Sequence, residues 1–212
     1  MSLGDVFLEI NKYSNKIDKA LALKDSRPSI KDSLVVALVS LSRQHYLSIF
    51  LLTKESTYYS SAFALIRPLI DAVYRAIWLM KVATDNQVEK INNNEKQFMT
   101  TQELSKKIDR KFHELKENEG EEQFDIFHNR YNKNSQVLHG LTHGGMEQIH
   151  KQLKDGIIYP AFTEEDLVGL LSEATVNYVL LLIIYGEFNK NKELDTVVRE
   201  FSDLKLETVF KK

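Results

Sequence analysis

Apolar residues recur at three- and four-residue spacings through most of the chain, and that period belongs to helices rather than strands. Val6, Ile10, Tyr13, Ile17, Ala20 and Leu21 draw one apolar stripe along Asp5 to Lys24, which predicts an amphipathic helix stopped by Asp25-Ser26-Arg27-Pro28. Ser29 is placed to cap a second helix over roughly Ile30 to Lys54, because its hydroxyl accepts from a first-turn N–H. That helix is apolar on most of its circumference through Leu34-Val35-Val36-Ala37-Leu38-Val39, the signature of a helix in the middle of a bundle. The stretch from Tyr58 to Ala83 reads the same way. Pro68 lies inside it, deletes one ladder N–H and disfavours α geometry at Arg67, so a kink or break is expected there.

Further on, Thr84-Asp85 opens a short polar helix ending near Asn92-Asn93-Asn94. Thr100 and Glu103 form a capping-box pair for a charged helix to about Asn118, whose Lys/Glu face reads as solvated. Glu122 to about Leu141 reads as another helix, with Phe124, Phe127, Tyr131 and Leu138 turned inward. Gly144-Gly145 and Gly156 mark an irregular connection that has room for a short helix between Met146 and Leu153. Only Gly156-Ile157-Ile158-Tyr159 looks extended, and it has no visible partner strand. Thr163 with three following acids starts a third strongly apolar helix, Leu167 to Phe188, and a last helix runs over roughly Glu193 to Leu204. The expectation is an all-α fold: a single-domain helical bundle of about seven helices over residues 1–212, centred on the helices around Val39, Ile70 and Leu181.

Composition narrows the chemistry more than the fold. With 212 residues, 8 Gly and 3 Pro, the chain has few turn-makers and enough length for one real core. Cys 0 removes thiolate catalysis, thiolate zinc sites and iron–sulfur ligation, and fits a reducing compartment. A formal charge of −2 supplies no global field for nucleic acid or anionic lipid. The first residues, MSLGDVFLEINKYSNK, do not resemble a secretory signal. Leu34 to Thr53 carries Arg43, Gln44 and His45 at its centre, and the apolar run Val176 to Phe188 is shorter than the roughly 20 residues of a membrane span. The expected setting is cytoplasmic, with no membrane partner and no cofactor.

Two constellations remain. Arg67, Asp71 and Arg75 are spaced four apart and share a face of the Pro68 helix. They read either as an anion site, two guanidinium forks oriented by the carboxylate, or as an internal Arg–Asp–Arg ladder. The second is the string Leu138-His139-Gly140-Leu141-Thr142-His143-Gly144-Gly145, preceded by His128-Asn129-Arg130-Tyr131. His139 and His143 share a face if the helix runs through Gly140, and Gly144-Gly145 then lets a ligand or a backbone come close. Acid–base work or phosphate contact suits such imidazoles. Metal binding through His139, His143 and Glu147 is the weaker match, because the glycine pair breaks the spacing. Packed polar side chains closing a helix are the third reading. Arg130 and Tyr131 would join a histidine only across a cleft between helices or subunits. No Gly-rich phosphate loop, nucleophile elbow or single-strand-binding pattern is present, and nothing argues for DNA.

The segment Ala64-Leu65-Ile66-Arg67-Pro68-Leu69-Ile70-Asp71-Ala72-Val73-Tyr74-Arg75, with Thr142-His143-Gly144-Gly145 and Gln148 downstream, resembles a group of uncharacterised bacterial all-helical proteins. Their mark is an Arg-Pro-Leu-x-Asp/Glu-Ala-x-x-Arg helix followed by a Thr-His-Gly-Gly string. More distantly, the layout is similar to the HEPN superfamily. That resemblance implies a dimeric helical protein acting as a metal-independent ribonuclease in toxin or phage-defence systems. On it, His143 or His139 would be the histidine, and Arg67, Arg75 or Arg130 would steady the phosphate. The superfamily motif has a polar residue after its Arg and a His soon after; here Tyr131 follows Arg130, and the gap to His139 is longer. The alternative is a non-catalytic module binding a small anion or a protein at the Arg67/Asp71/Arg75 face.

Overall fold

The computed structural model describes residues 3–21, 29–116, 127–132, 153–154, 157–158 and 162–202, and these are helical almost throughout. Helix α1 is Leu3–Leu21, α2 is Ile30–Leu52, and a 3₁₀ turn at Ser56–Tyr58 leads into α3, Tyr59–Ala64. Then come α4, Ile66–Lys81, α5, Asp85–Asn92, α6, Thr101–Lys116, and a helical segment at 127–132, here α7. The long α8, Glu164–Asn189, and α9, Lys192–Ser202, complete the bundle. One expectation is corrected: Ile157–Ile158 is not alone but pairs antiparallel with Leu153–Lys154 in a small hairpin. Two residues per strand leave the all-α class unchanged.

Caps set several of the boundaries. Ser29, Thr84 and Thr163 each accept from the N3 backbone while the N3 side chain of Asp32, Gln87 or Asp166 returns to the cap residue's N–H. Thr100 does the same with Glu103. The break before Pro68 falls at Leu65, two residues before Arg67, the residue preceding the proline. Pro68 cannot donate to the Ala64 carbonyl and its ring would press on it, so the chain restarts and leaves the proline in a first turn, where no N–H is needed.

Helices α2, α4 and α8 pack on one another at the centre, as the apolar runs predict. Eleven residues of α4 and fourteen of α8 are buried. Two helices, α2 and α8, are long and apolar enough to cross a membrane by length and hydropathy. For both this corrects the sequence expectation: α8 extends well beyond the apolar run that was too short, and α2 qualifies despite Arg43, Gln44 and His45. The most apolar window of α8 is 67% buried inside the bundle, and α2 carries Arg43 in an ion pair with Asp18 of α1. The corresponding window of α2 is 33% buried.

The two outer helices close against each other. Tyr13 of α1 lies 5.1 Å from Phe201 of α9, and Lys16 reaches Glu200 at 2.9 Å. Between α8 and α9, Lys190 takes a left-handed conformation. Asn191 next to it caps α9 by accepting from the Leu194 N–H at 3.0 Å, and its amide donates to the Ala20 carbonyl of α1 at 2.8 Å.

His45 sits on α2, and burial holds its imidazole below its ordinary value of 6.5. A depressed histidine is neutral in the folded chain while the unfolded chain takes up the proton. Its stability contribution is therefore present above about pH 6.5 and lost as pH falls below it. Between about pH 7.5 and 5, the wild type is expected to lose more thermal stability than His45→Gln. Parallel melting curves would show no such role for His45.

Candidate functional site

In a helix otherwise rich in lysine and glutamate, Thr101, Ser105 and Asp109 are spaced four apart on α6 and are all buried. Between them they reach two other elements, α4 and α7. The Thr101 hydroxyl donates to the Asp71 carboxylate of α4. Ser105 donates to the Gln102 carbonyl at 2.8 Å and meets His128 Nδ1 at 3.2 Å. Asp109, 3% exposed, accepts from the backbone N–H groups of Phe127 at 3.0 Å and His128 at 2.7 Å. A carboxylate from one helix thus caps the described start of another, where orphan donors and the positive end of the helix dipole favour it.

The rest of α7 is held as firmly. The Tyr74 hydroxyl of α4 donates to the Phe127 carbonyl at 3.0 Å, and burial pushes that hydroxyl well above the ordinary phenol range, so it stays a donor. Phe127 packs edge-on against Tyr74 and stacks on Phe112. Arg130 pairs with Glu173 of α8 at 2.6 Å, and Glu173 also accepts from the buried Asn177 amide at 2.7 Å. These bonds fix the tautomer of His128. The Ser105 proton is spent on Gln102, so His128 Nδ1 carries the hydrogen, and Nε2 accepts from the Asn132 amide at 3.0 Å.

On the same face of α4, Asp71 does not serve the arginines. Among the described residues no ion pair joins it to Arg67 or Arg75, and its Oδ1 accepts from the Thr101 hydroxyl. Neither reading of an Arg–Asp–Arg unit included this Thr101 contact. Arg75 instead lays its guanidinium over the Phe98 ring, 5.3 Å from the centroid, with a buried Nε that finds no acceptor. Trp78, one turn further, packs edge-on to the same ring at 6.2 Å, and its indole Nε1–H is buried without an acceptor. Two dry N–H donors therefore flank Phe98.

The structure brings Arg67, Asp71, Arg75, Arg130 and Tyr131 onto elements that surround α6, with Tyr131 half-buried against the core. His139, Thr142, His143, Gly144 and Gln148 lie outside the described residues. Among the described residues, no three His, Asp or Glu side chains come together as a metal site would need. Sequence reading missed Thr101, Ser105, Asp109, Trp78, Phe98 and Glu173. The available signal was the four-residue spacing of small polar residues beside Leu104 and Ile108 in α6.

Comparison with curated proteins and with solved structures returns no match. A family of unknown function, DUF6988, matches residues 39–206, which takes in α4, α6, α7 and α8 and hence the whole polar seam. The chain, with its Arg-Pro-Leu-x-Asp helix and the seam built on it, belongs to that family.

Proposed function

We propose that the chain is a helical module that binds a small oxyanion, such as a phosphate or carboxylate group, at Arg75. The carrying observation is the Arg75 guanidinium stacked on Phe98, with its Nε and the neighbouring Trp78 Nε1 both sealed from water and lacking acceptors. Buried donors without acceptors are costly. An oxyanion offers several acceptor lone pairs and a negative charge. Arg67 is eight residues away, about 12 Å along the helix axis. It cannot close on the same small group as Arg75, but it can extend the site toward a second anionic point.

Titration with inorganic phosphate and with a short RNA oligonucleotide, followed by calorimetry or amide shifts, tests this reading. Arg75→Ala is expected to weaken binding at least about tenfold, the size of one charge-assisted contact, with the melting temperature kept. Unchanged affinity, or a fall in melting temperature without a change in affinity, removes the reading.

A second reading, a HEPN-like ribonuclease acting as a toxin or phage-defence effector in the cytoplasm and working as a homodimer, is supported by the resemblance in sequence. It also draws on His128, whose Nε2 meets the Asn132 amide on the same short helix as Arg130. Arg130 is charge-paired with Glu173 although its Nε too is buried without an acceptor, whereas Arg75 shows no ion pair among the described residues, which makes anion binding at Arg75 the better-supported function. RNA cleavage in excess EDTA that is lost in His139→Ala or His143→Ala would reverse that order.

A further inference from the structure

Away from the seam, four helices meet around a small void. Ser14 and Asp18 of α1, Arg43 and Tyr46 of α2, Tyr178 of α8 and Phe201 of α9 line a cavity of about 10 Å³. The two tyrosines stack with centroids 4.7 Å apart but differ in what their hydroxyls find. Tyr46 meets Thr175 at 3.2 Å, whereas Tyr178, 2% exposed, has no protein group within hydrogen-bonding distance of its hydroxyl. Burial pushes the Tyr178 hydroxyl far above its ordinary range, so it remains an uncharged O–H that needs an acceptor.

Size and charge together select the occupant. A void of about 10 Å³ is at the threshold for one water molecule and excludes phosphate, carboxylates or any organic ligand. The charges at its wall are already balanced, because Arg43 donates from both Nε and Nη2 to the two oxygens of Asp18. Each of those oxygens keeps a free lone pair, since an ionised carboxylate offers about four acceptor positions. The wall is mostly apolar, and the unpartnered Tyr178 hydroxyl and the Asp18 carboxylate are the polar groups that a small neutral occupant would accept from and donate to.

We propose that this cavity is a binding site for one water molecule, which accepts from the Tyr178 hydroxyl and donates to Asp18, with Ser14 in reach as a third partner. The water then joins α8 to the ion pair that holds α1 on α2. It turns an isolated phenol into part of a network spanning three helices. Tyr178→Phe keeps the ring and its stacking on Tyr46 and removes only the hydroxyl.

A crystal structure that resolves ordered water is expected to show a peak within hydrogen-bonding distance of both Tyr178 Oη and the Asp18 carboxylate, and to lose it in Tyr178→Phe. The same variant is expected to melt about 2–4 °C lower, as the loss of one satisfied hydrogen bond predicts for a chain of this size. A hydroxyl with no partner gives the opposite sign, because its removal relieves an unpaired polar group. A dry cavity in the wild type, or a Tyr178→Phe melting temperature equal to or above wild type, overturns the proposal.

Discussion

Asp109→Ala is expected to lower the melting temperature by roughly 5–15 °C and to release α7, residues 127–132, before the rest of the molecule unfolds. The side chain is 3% exposed and accepts from two backbone N–H groups, those of Phe127 and His128. Both donors lie at the described start of a helical segment. Hydrogen bonds to a charged group contribute about 1.5–3 kcal/mol each, and a donor stranded in the interior costs about 1–3 kcal/mol. Even partial rehydration leaves a net loss of about 2–4 kcal/mol, which gives the stated fall in a chain of this length. Hydrogen exchange separates this from a general loss of stability. The Phe127 and His128 amides should exchange faster in the variant than amides in α4 and α8. A change of under about 2 °C, with those amides still protected, would show that Asp109 does not hold the segment. The loss also reaches the Arg130–Glu173 pair, which depends on α7 lying against α8.

Leu181→Ala, at the centre of α8, is expected to cost about 2–5 kcal/mol, the range for deleting a fully buried leucine and leaving a partly collapsed cavity. Leu181 has no exposure, and its helix packs against both α2 and α4. The surrounding leucines and isoleucines belong to three long helices, which cannot shift toward the gap independently, so the upper half of that range applies. The expected fall in melting temperature is on the order of 10 °C. Ile183→Ala makes a control of similar chemistry on the same helix, since Ile183 is 37% exposed, and it should cost far less. Equal losses for the two would mean that α8 is not the packed centre of the bundle.

Much of the fold was legible because helices announce themselves locally. The Ser29, Thr84, Thr100 and Thr163 starts are each a side chain meeting a backbone three residues on, which needs no knowledge of the rest of the chain. The apolar runs around Val39, Ile70 and Leu181 could be placed at the centre because a helix apolar on every side has nowhere else to go. The candidate site was read less well, and the reason is equally physical. Arg67, Asp71 and Arg75 share a face by their spacing, but whether Asp71 serves the arginines or Thr101 depends on where a helix some thirty residues later is laid down. Pattern reading gave α6 as a charged amphipathic helix with a solvated Lys/Glu face, which is exposed at Glu103, Lys106 and Lys107, but left its buried polar residues unread. Lysines and glutamates dominate its composition, while three small polar residues do its internal work.

Asn191 is a single side chain with two clients, the last turn of the first helix and the first turn of the last described one. Neither client can peel away without stripping the amide from the other, and the Lys16–Glu200 and Tyr13–Phe201 contacts add to that mutual dependence. The two outermost helices thus form one cooperative clasp, which a protease or a pulling force would open in a single event.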